Sequence, residues 1–482
     1  MHKTFHWYDF LAINSYWLGI NIASGILTPL LMPYLILQFM PEAEKNTHLA
    51  TLRVVGLAVA MLVQPLAGML SDRSTLRWGR RRPYIFLGAL LNVVFLAIIG
   101  ATPSLRGVDG SILGWPLPFA VLIAGSVLLQ FSSNIGHGAV QGLIPDLVPE
   151  HQRGRASGFK SMLELLPVFL VIFIGPLVDK GYVWAVIGIV MGGFLLSMLT
   201  TVLLVKEEPL KQSPKSGIGE AAWRLVALTA IFVAISQAAV WLVKASGSFL
   251  TGQGVSLALQ VALVGLAGLA AMAGSIFVGV YLGAWVGIGA EARQQRSFIW
   301  WVINRLLFLA AVGSIQGFAQ FYLKDVVKVP NPASMTTYLL AAVAAFLLPA
   351  ALGSGYLADR IGRRRLVGAA GFVAAFGTLV LILAGSSFPL IIVGGCIIGL
   401  GAGTFMATNW ALGTDLVPKQ DAGKYLGISN LAGAGAGIVG AGIGGPLADF
   451  FNLLGPGLGY LVIFAIYGLL FLISVAALTR VR

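Results

Sequence analysis

Apolar stretches of twenty or more residues recur from end to end of this 482-residue chain. Each is long enough to cross a hydrocarbon core of ~30 Å. The charge content agrees with a membrane as solvent. Only 10% of the residues are Asp, Glu, Lys or Arg, against about 25% in soluble domains, too few to cover a water-facing surface of this size. The spans read as helices near 10–37, 49–71, 83–102, 117–145, 156–178 and 183–205, then 224–243 and 256–286, then 297–323, 336–357, 366–385, 388–415, 425–448 and 457–479. The run from Phe10 to about Leu37 is too long for a cleavable signal, and no A-x-A-like site follows it. The lone cysteine, Cys396, lies inside a span, so no internal disulfide is expected.

The basic excess, 31 Lys and Arg against 18 Asp and Glu, does not point to nucleic acid, because the charges sit in short loops between spans. With a cytoplasmic N-terminus, 24 of the 31 fall at cytoplasmic ends or loops. Seven fall outside: Lys45, Arg53, Arg106, Lys180, Lys244, Lys324 and Lys328. That bias predicts a multi-pass protein of the cell (inner or plasma) membrane with both termini cytoplasmic. Arg53, near the outer end of the second span, reads as a snorkelling anchor.

Three matched pairs of segments reveal an internal repeat. Gly68-Met-Leu-Ser-Asp72-Arg73, closing on Arg80-Arg81-Arg82, matches Gly355-Tyr-Leu-Ala-Asp359-Arg360, closing on Arg363-Arg364-Arg365. Asp146-Leu-Val-Pro149 matches Asp415-Leu-Val-Pro418, each with a glycine (Gly158, Gly427) twelve residues after the Asp. Gly175-Pro176-Leu-Val-Asp179 matches Gly445-Pro446-Leu-Ala-Asp449. The offsets are 287, 269 and 270 residues, and the first is longer by about the length of an outer loop at Ser104–Leu117. The expected organisation is a six-helix bundle at 1–205, a linker with two inserted transmembrane helices at 206–296, and a second six-helix bundle at 297–482. Two parallel halves with substrate bound between them near the midplane is the design of the major facilitator superfamily.

The segments Gly68…Asp72-Arg73…Gly79-Arg80-Arg81 and Gly355…Asp359-Arg360-x-Gly362-Arg363-Arg364 resemble that superfamily's signature loop, across both halves. The resemblance implies an all-α integral membrane protein of the major facilitator fold, here with about fourteen transmembrane helices. The first copy, Arg77-Trp78-Gly79-Arg80-Arg81-Arg82-Pro83-Tyr84, is similar to the sucrose transporters and the neighbouring glycoside–pentoside–hexuronide:cation symporters. Those proteins usually have twelve helices, and sucrose–proton symporters carry an embedded acid in the first helix and an arginine in the fourth. This chain has Asp9 at the edge of the first and His137 in the fourth.

The matched loops read as a cytoplasmic gate of Gly68, Asp72, Arg73, Gly79, Arg80, Arg81, Asp146, Gly355, Asp359, Arg360, Gly362, Arg363 and Asp415. Asp72 and Asp359 are expected to cap helices of the opposite half, with Arg73 pairing Asp146 and Arg360 pairing Asp415. The bland alternative is that these arginines only fix topology. Embedded ionisable groups mark pathways and relays. His137 sits ~13 Å from Asp146 along the fourth helix, and Glu164 and Arg305 reach similar depths of ~12–14 Å. These three, with Lys160 one turn before Glu164, form the candidate coupling cluster; the plain alternative is a satisfied Glu164–Lys160 pair and a snorkelling Arg305.

Trp17, Asn21, Asn134, Gln316, Gln320, Asn409 and Trp410 are the candidate cavity residues, amides and rings on helices one, four, seven and ten, which line the cavity in the superfamily. The run Gly433-Ala-Gly-Ala-Gly-Ile438 lacks the Lys-Ser/Thr of a phosphate loop and reads as a helix-packing surface. With no H-E-x-x-H, Walker or Cys–His metal pattern and no large soluble domain, neither an enzyme nor an ATP-driven pump is expected, and no cofactor or metal. The leading expectation is a monomeric, proton- or cation-coupled symporter of a sugar or similar polar solute. Drug or metabolite efflux by proton antiport is the rival within transport, and a non-transporting receptor or scramblase the rival from another class.

Overall fold

The computed structural model describes residues 5–210, 219–289, 294–416 and 422–481, with the side chains of 288, 359 and 422–432 excepted. The expected linker at Lys206–Ser216 therefore lies partly outside the described residues, as does the side chain of Asp359. Two compact units are distinguished, Met1–Met40 with Val59–Trp223, and Pro41–Ala58 with Arg224–Arg482.

In the first unit the helices are α1 (Trp7–Phe39, with a π-helical turn at Leu27–Leu31), α2 (Lys45–Ser71), α3 (Arg82–Ala101), α4 (Leu117–Leu147), α5 (Arg153–Leu165), α6 (Pro167–Val171), α7 (Gly175–Asp179) and α8 (Val183–Leu204). Helix α2 is shared: its first part, through Ala58, belongs to the second unit. Proline opens several of these helices, where its missing N–H costs nothing. Between α3 and α4 a two-stranded hairpin, β1 (Ser111–Ile112) and β2 (Trp115–Pro116), turns through Leu113 and Gly114, both at positive φ.

The second unit holds α9 (Gly219–Gly252), α10 (Leu257–Ile288), α11 (Arg296–Tyr322, with a π-helical extension Leu323–Val327), α12 (Pro332–Ile361), α13 (Arg363–Leu383), α14 (Phe388–Leu416), α15 (Ala422–Leu454) and α16 (Leu458–Leu478). Neighbours repeat between the units. In the first, α1 packs on α8, and α3 on both α4 and α8; in the second, α11 packs on α16, and α13 on both α14 and α16.

Thirteen helices among the described residues are long and apolar enough to cross a bilayer. The remaining expected span, 156–178, is carried by α5, α6 and α7. Its breaks fall beside Pro167 and Pro176, each lacking the N–H that would continue the ladder. The matching Pro446 lies inside continuous α15, whose side chains around it, from Ala436 to Ala448, are almost all buried. Dense packing holds that helix together across the missing bond.

Without a hydrophobic drive between helices in lipid, close approach at small residues carries the packing. A Cβ built on Gly88 would lie 2.8 Å from the Ser132 carbonyl oxygen, so α3 and α4 meet backbone to backbone. Gly377 and Gly394 play the same part between α13 and α14. The glycine run of α15 does pack this way. Cβ atoms on Gly435 and Gly437 would come within 2.7 Å of the Phe232 ring of α9 and 2.6 Å of Leu57 of α2. The inserted helices are thus seated in the second unit, α10 against α15, α11 and α16, while Trp241, Leu242, Phe249 and Leu266 remain exposed on their far side.

Candidate functional site

In the first unit, α1, α4 and α5 place four of the expected side chains in one line. Helix α1 is fixed to α5 because Asn14 Nδ2 donates to Ala156 O at 3.1 Å and the Phe10 and Phe159 rings meet at 5.7 Å. That seats Trp17 beneath Lys160, whose Nζ lies 4.0 Å from the ring centroid. Lys160 Nζ also pairs with Glu164 Oε1 at 2.8 Å, one helical turn away. On its other side Trp17 meets the His137 ring edge to face at 5.0 Å, and His137 Nε2 lies 3.3 Å from the Gln141 amide nitrogen. Glu164, Lys160, Trp17, His137 and Gln141 therefore form a continuous chain of contacts. Asn21 and Asn134 donate to carbonyls one turn back on their own helices, Trp17 O at 2.8 Å and Gln130 O at 2.7 Å.

In the second unit the centre is Asn409 of α14, fully buried. Its carbonyl accepts Trp301 Nε1 at 2.9 Å, its Nδ2 donates to Asn304 Oδ1 at 2.8 Å, and its Oδ1 accepts Arg305 Nη1 at 3.3 Å. Asn304 in turn donates to Ser474 O at 2.8 Å. The Arg305 guanidinium lies 5.0 Å from the Trp410 ring and 5.9 Å from that of Trp301, within cation–π range. Arg305, Leu309, Val312 and Gln316 share one helical face of α11 and are not buried, whereas Gln320 is packed away at 2% exposure.

The Arg-rich loops are organised differently from the spacing-based expectation. Asp146 accepts Arg80 Nη2 at 2.6 Å and Arg81 Nε at 2.9 Å. Arg81, buried, also reaches Asp72 and donates to Ser71 Oγ at 2.6 Å. In the second unit Asp415 takes Arg363 Nη1 at 2.6 Å, while Arg360 lies against the Tyr356 ring. The partner of each Asp is thus a residue at the start of the next helix, not Arg73 or Arg360. The reason is geometric: α3 and α13 pack directly on α4 and α14, so their first residues arrive beside the Asp. Gly79 and Gly362 make the turns into these helices at φ +102° and +96°, where a side chain is strained. Gly68 and Gly355 lie one turn before Asp72 and Asp359 on α2 and α12.

The Major Facilitator Superfamily family model matches residues 10–323 and 306–482. The chain belongs to that superfamily. It is a multi-pass membrane protein of a transporter family. Sucrose transport protein SUT1 of Oryza sativa subsp. japonica is 34% identical over 111 residues, covering 21% of this chain and 20% of that protein. This match therefore spans about a fifth of the relative's length. Among solved structures, a D-xylose-proton symporter aligns with a TM-score of 0.60 at 17% identity, over 97% of this chain and 95% of that one. A POT family transporter in complex with 5-aminolevulinic acid aligns at 0.66 and 14%, over 98% and 96%. At these identities the likeness is one of fold.

Two features of this superfamily member were not foreseen. The first is Glu207, which follows α8. Its Oε2 accepts the backbone N–H groups of Arg81 and Arg82 at 3.0 and 2.9 Å, capping α3 and packing against Gly79. Burial raises its carboxyl above the ordinary range; the bonds from Arg82 and Arg81 and the Arg81 charge act against that rise, and Asp146 adds to it. The second is an acid–base network in the second unit at the start of α2. Asp449 accepts Asn46 N at 3.2 Å, Asn46 Nδ2 at 2.8 Å and Thr47 N at 2.6 Å. Lys45, itself buried, pairs with Asp325 at 2.6 Å, which also accepts Tyr460 Oη at 2.5 Å, and Lys324 reaches Glu42 at 2.5 Å. Nearby, Arg53 does not snorkel: its Nη2 donates to Gly313 O of α11 at 3.0 Å. The matched aspartates Asp179 and Asp449 were the one sequence signal for this network.

Proposed function

We propose that the protein moves a sugar or similar hydroxyl-rich solute by proton-coupled symport, through alternating access of its two halves. The observation that carries the reading is a set of amides, rings and ionisable groups embedded in spans of both units. Amides and indole rings suit hydroxyls and the apolar faces of sugars, and embedded charges are too costly to keep without a task. The name of the rice relative supports a sugar, and the fold of the xylose symporter is compatible with it. Glu164 or His137 carries the coupling proton in this reading, with Lys160 competing for the Glu164 carboxylate, and Arg305 is an embedded charge of the second unit. Trp17, Asn21, Asn134, Gln316, Asn409 and Trp410 serve the solute in this reading, and the packed Gln320 does not.

The gate residues at the Arg-rich end lie on the cytoplasmic side, with both termini, in the cell membrane. The protein works as a monomer without cofactor and catalyses no covalent chemistry. The test is reconstitution in liposomes with an internal pH dye. Addition of the transported sugar acidifies the lumen, and Glu164→Gln abolishes the acidification. Sugar uptake indifferent to a pH gradient refutes the proton coupling, and proton exchange with lipophilic cations alone favours efflux.

A further inference from the structure

The matched seams of the two units end differently. Where α3 meets α8, the chain supplies an acid of its own. Glu207, just past α8, accepts the N–H groups of Arg81 and Arg82, and Arg81 pairs with Asp72 and Asp146. The repeat puts Arg364 and Arg365 of α13 in the places of Arg81 and Arg82. The chain leaving α16 brings Thr479 and Arg480 to that end, not an acid. Arg364 Nη2 donates to Thr479 O at 3.0 Å, which fixes its guanidinium at the last turn of α16. Among the described residues no carboxylate pairs with Arg364, Arg365 or Arg480, and all three residues are exposed.

From these arginines a groove of about 530 Å³ runs between α13 and α16, lined by Ala369 and Phe372 on one side and Val475 and Leu478 on the other. Helix α13 has 21 residues, ~31 Å, so its first turn lies at the membrane surface when it crosses the core. Phe372 is then ~12 Å and Phe376 ~18 Å deeper than Arg364. Phe372, Phe376, Leu379 and Leu383 are all exposed and follow the helical period, giving α13 one apolar face. On α16, Leu472 is exposed as well. Such faces are suited to acyl chains and not to water.

We propose that this groove is a binding site for an anionic phospholipid, with its phosphate on Arg364 and Arg365 and one acyl chain against Ala369 and Phe372. Guanidinium groups match phosphate oxygens through parallel N–H bonds, and basic pockets between transmembrane helices receive such head groups. The lipid phosphate takes the place that the Glu207 carboxylate fills in the first unit. Charge selects the lipid: arginines without an acid attract a net anion, whereas a choline head group brings a further cation among them. The apolar groove gives a free phosphate nothing to hold. This site makes no use of the sugar-transport reading and is tested apart from it.

The test is native mass spectrometry of the protein in a neutral detergent, titrated with dioleoylphosphatidylglycerol or dioleoylphosphatidylcholine. One phosphatidylglycerol per chain is expected to be held about tenfold more tightly than phosphatidylcholine. Arg365→Gln weakens it about fivefold, and Arg365→Lys weakens it less. Ala369→Phe fills the groove, keeps every charge and abolishes the tight binding. Arg77→Gln, at an exposed arginine of the loop before α3, leaves it unchanged. Equal binding of the two lipids overturns the proposal. So do equal losses in Arg365→Gln and Arg77→Gln, which mean diffuse attraction, and full retention in Ala369→Phe. Displacement of the lipid by an equal concentration of inorganic phosphate assigns the site to a free anion and overturns it too. A dimer that forms without lipid and that Ala369→Phe dissolves gives the groove to a second copy of the chain, with the same consequence.

Discussion

Replacing Asp449 with asparagine tests the network at the start of α2 most directly. The first N–H groups of a helix have no partner within it, and here two of them, from Asn46 and Thr47, are given to the buried Asp449 carboxylate. Asparagine keeps one acceptor oxygen and presents an NH₂ where the other was. If the Oδ1 bonds to Asn46 persist, the 2.6 Å bond from Thr47 is lost and two donors face each other. A hydrogen bond to a charged group contributes about 1.5–3 kcal/mol, and an anion at a helix N-terminus about 0.3–1 kcal/mol. The sum is about 3 kcal/mol, or roughly a hundredfold in a local opening equilibrium. Amide hydrogen exchange in nanodiscs reads it: Thr47 exchanges about a hundred times faster in Asp449→Asn. Amides in the part of α2 assigned to the first unit, from Val59 onward, keep their wild-type rates. Unchanged exchange at Asn46 and Thr47 refutes the capping argument. A uniform rise across the second unit means instead that Asp449 supports the global packing.

Three further outcomes are expected. Arg81→Gln leaves Asp146 with only Arg80 and uncouples Asp72, so thermal stability in detergent falls by about 3 kcal/mol, the lower range for breaking a buried pair; an unchanged melting midpoint contradicts it. Alanine costs about 1–2 kcal/mol in backbone strain at either Gly79 or Gly362. It costs more at Gly79, where a Cβ would lie 2.5 Å from Glu207 atoms, than at Gly362, where nothing lies within 4 Å. Equal losses in melting midpoint would show the contact to be immaterial. Glu207 supplies a pH dependence. Its folded-state affinity for the proton is raised by burial, so its titration favours the folded state as pH falls. That contribution is fully present below the ordinary carboxyl range and is lost as pH rises through the folded-state value. Melting curves of wild type and Glu207→Gln between about pH 4 and about pH 8 check the sign: the variant has the flatter slope, and a steeper one refutes the assignment.

The membrane architecture and the repeat were legible because both are written in local patterns: apolar length, loop charge and matched short segments. The glycine run of α15 was legible for the same reason, since small residues on a helix announce close packing without naming the neighbour. What was not legible depends on tertiary context. Gly-Pro-Leu-x-Asp breaks the chain at Pro176 and runs through it at Pro446, and the difference is how tightly the surrounding helix is packed. Which arginine meets Asp146 or Asp415 depends on where α3 and α13 begin, a matter of one or two residues that spacing does not resolve. The network of Lys45, Asp325, Tyr460 and Asp449 joins residues up to about four hundred positions apart, beyond any local pattern. Of the candidate site, the ionisable members were picked out by the cost of embedding charge, but their partners, Trp17 under Lys160 and Trp410 over Arg305, follow from helix packing.

Helix α2 shows how these pieces bear on one another. One continuous helix belongs to both units, its start to the second and its end to the first. At its start Ala50, Val54 and Leu57 lie against Gly445, Gly442 and Gly437 of α15, where built Cβ atoms would come within 2.5 to 2.9 Å. Toward its end a Cβ on Gly138 of α4 would lie 2.9 Å from Gly68 N. Pro65 sits within the second of these contact zones, and Pro349 lies inside α12. A proline inside a helix removes one ladder bond and permits a bend there. Glycine seams resist sideways repacking less than interlocked large side chains do, but they carry little specificity. The directional hold on the start of α2 therefore comes from the charged network, and on the helix end from Arg81 and its two aspartates. The bonds to Asp449 and Lys45 are few and charge-assisted, so a single oxygen-to-nitrogen change at Asp449 is expected to be felt at the start of α2.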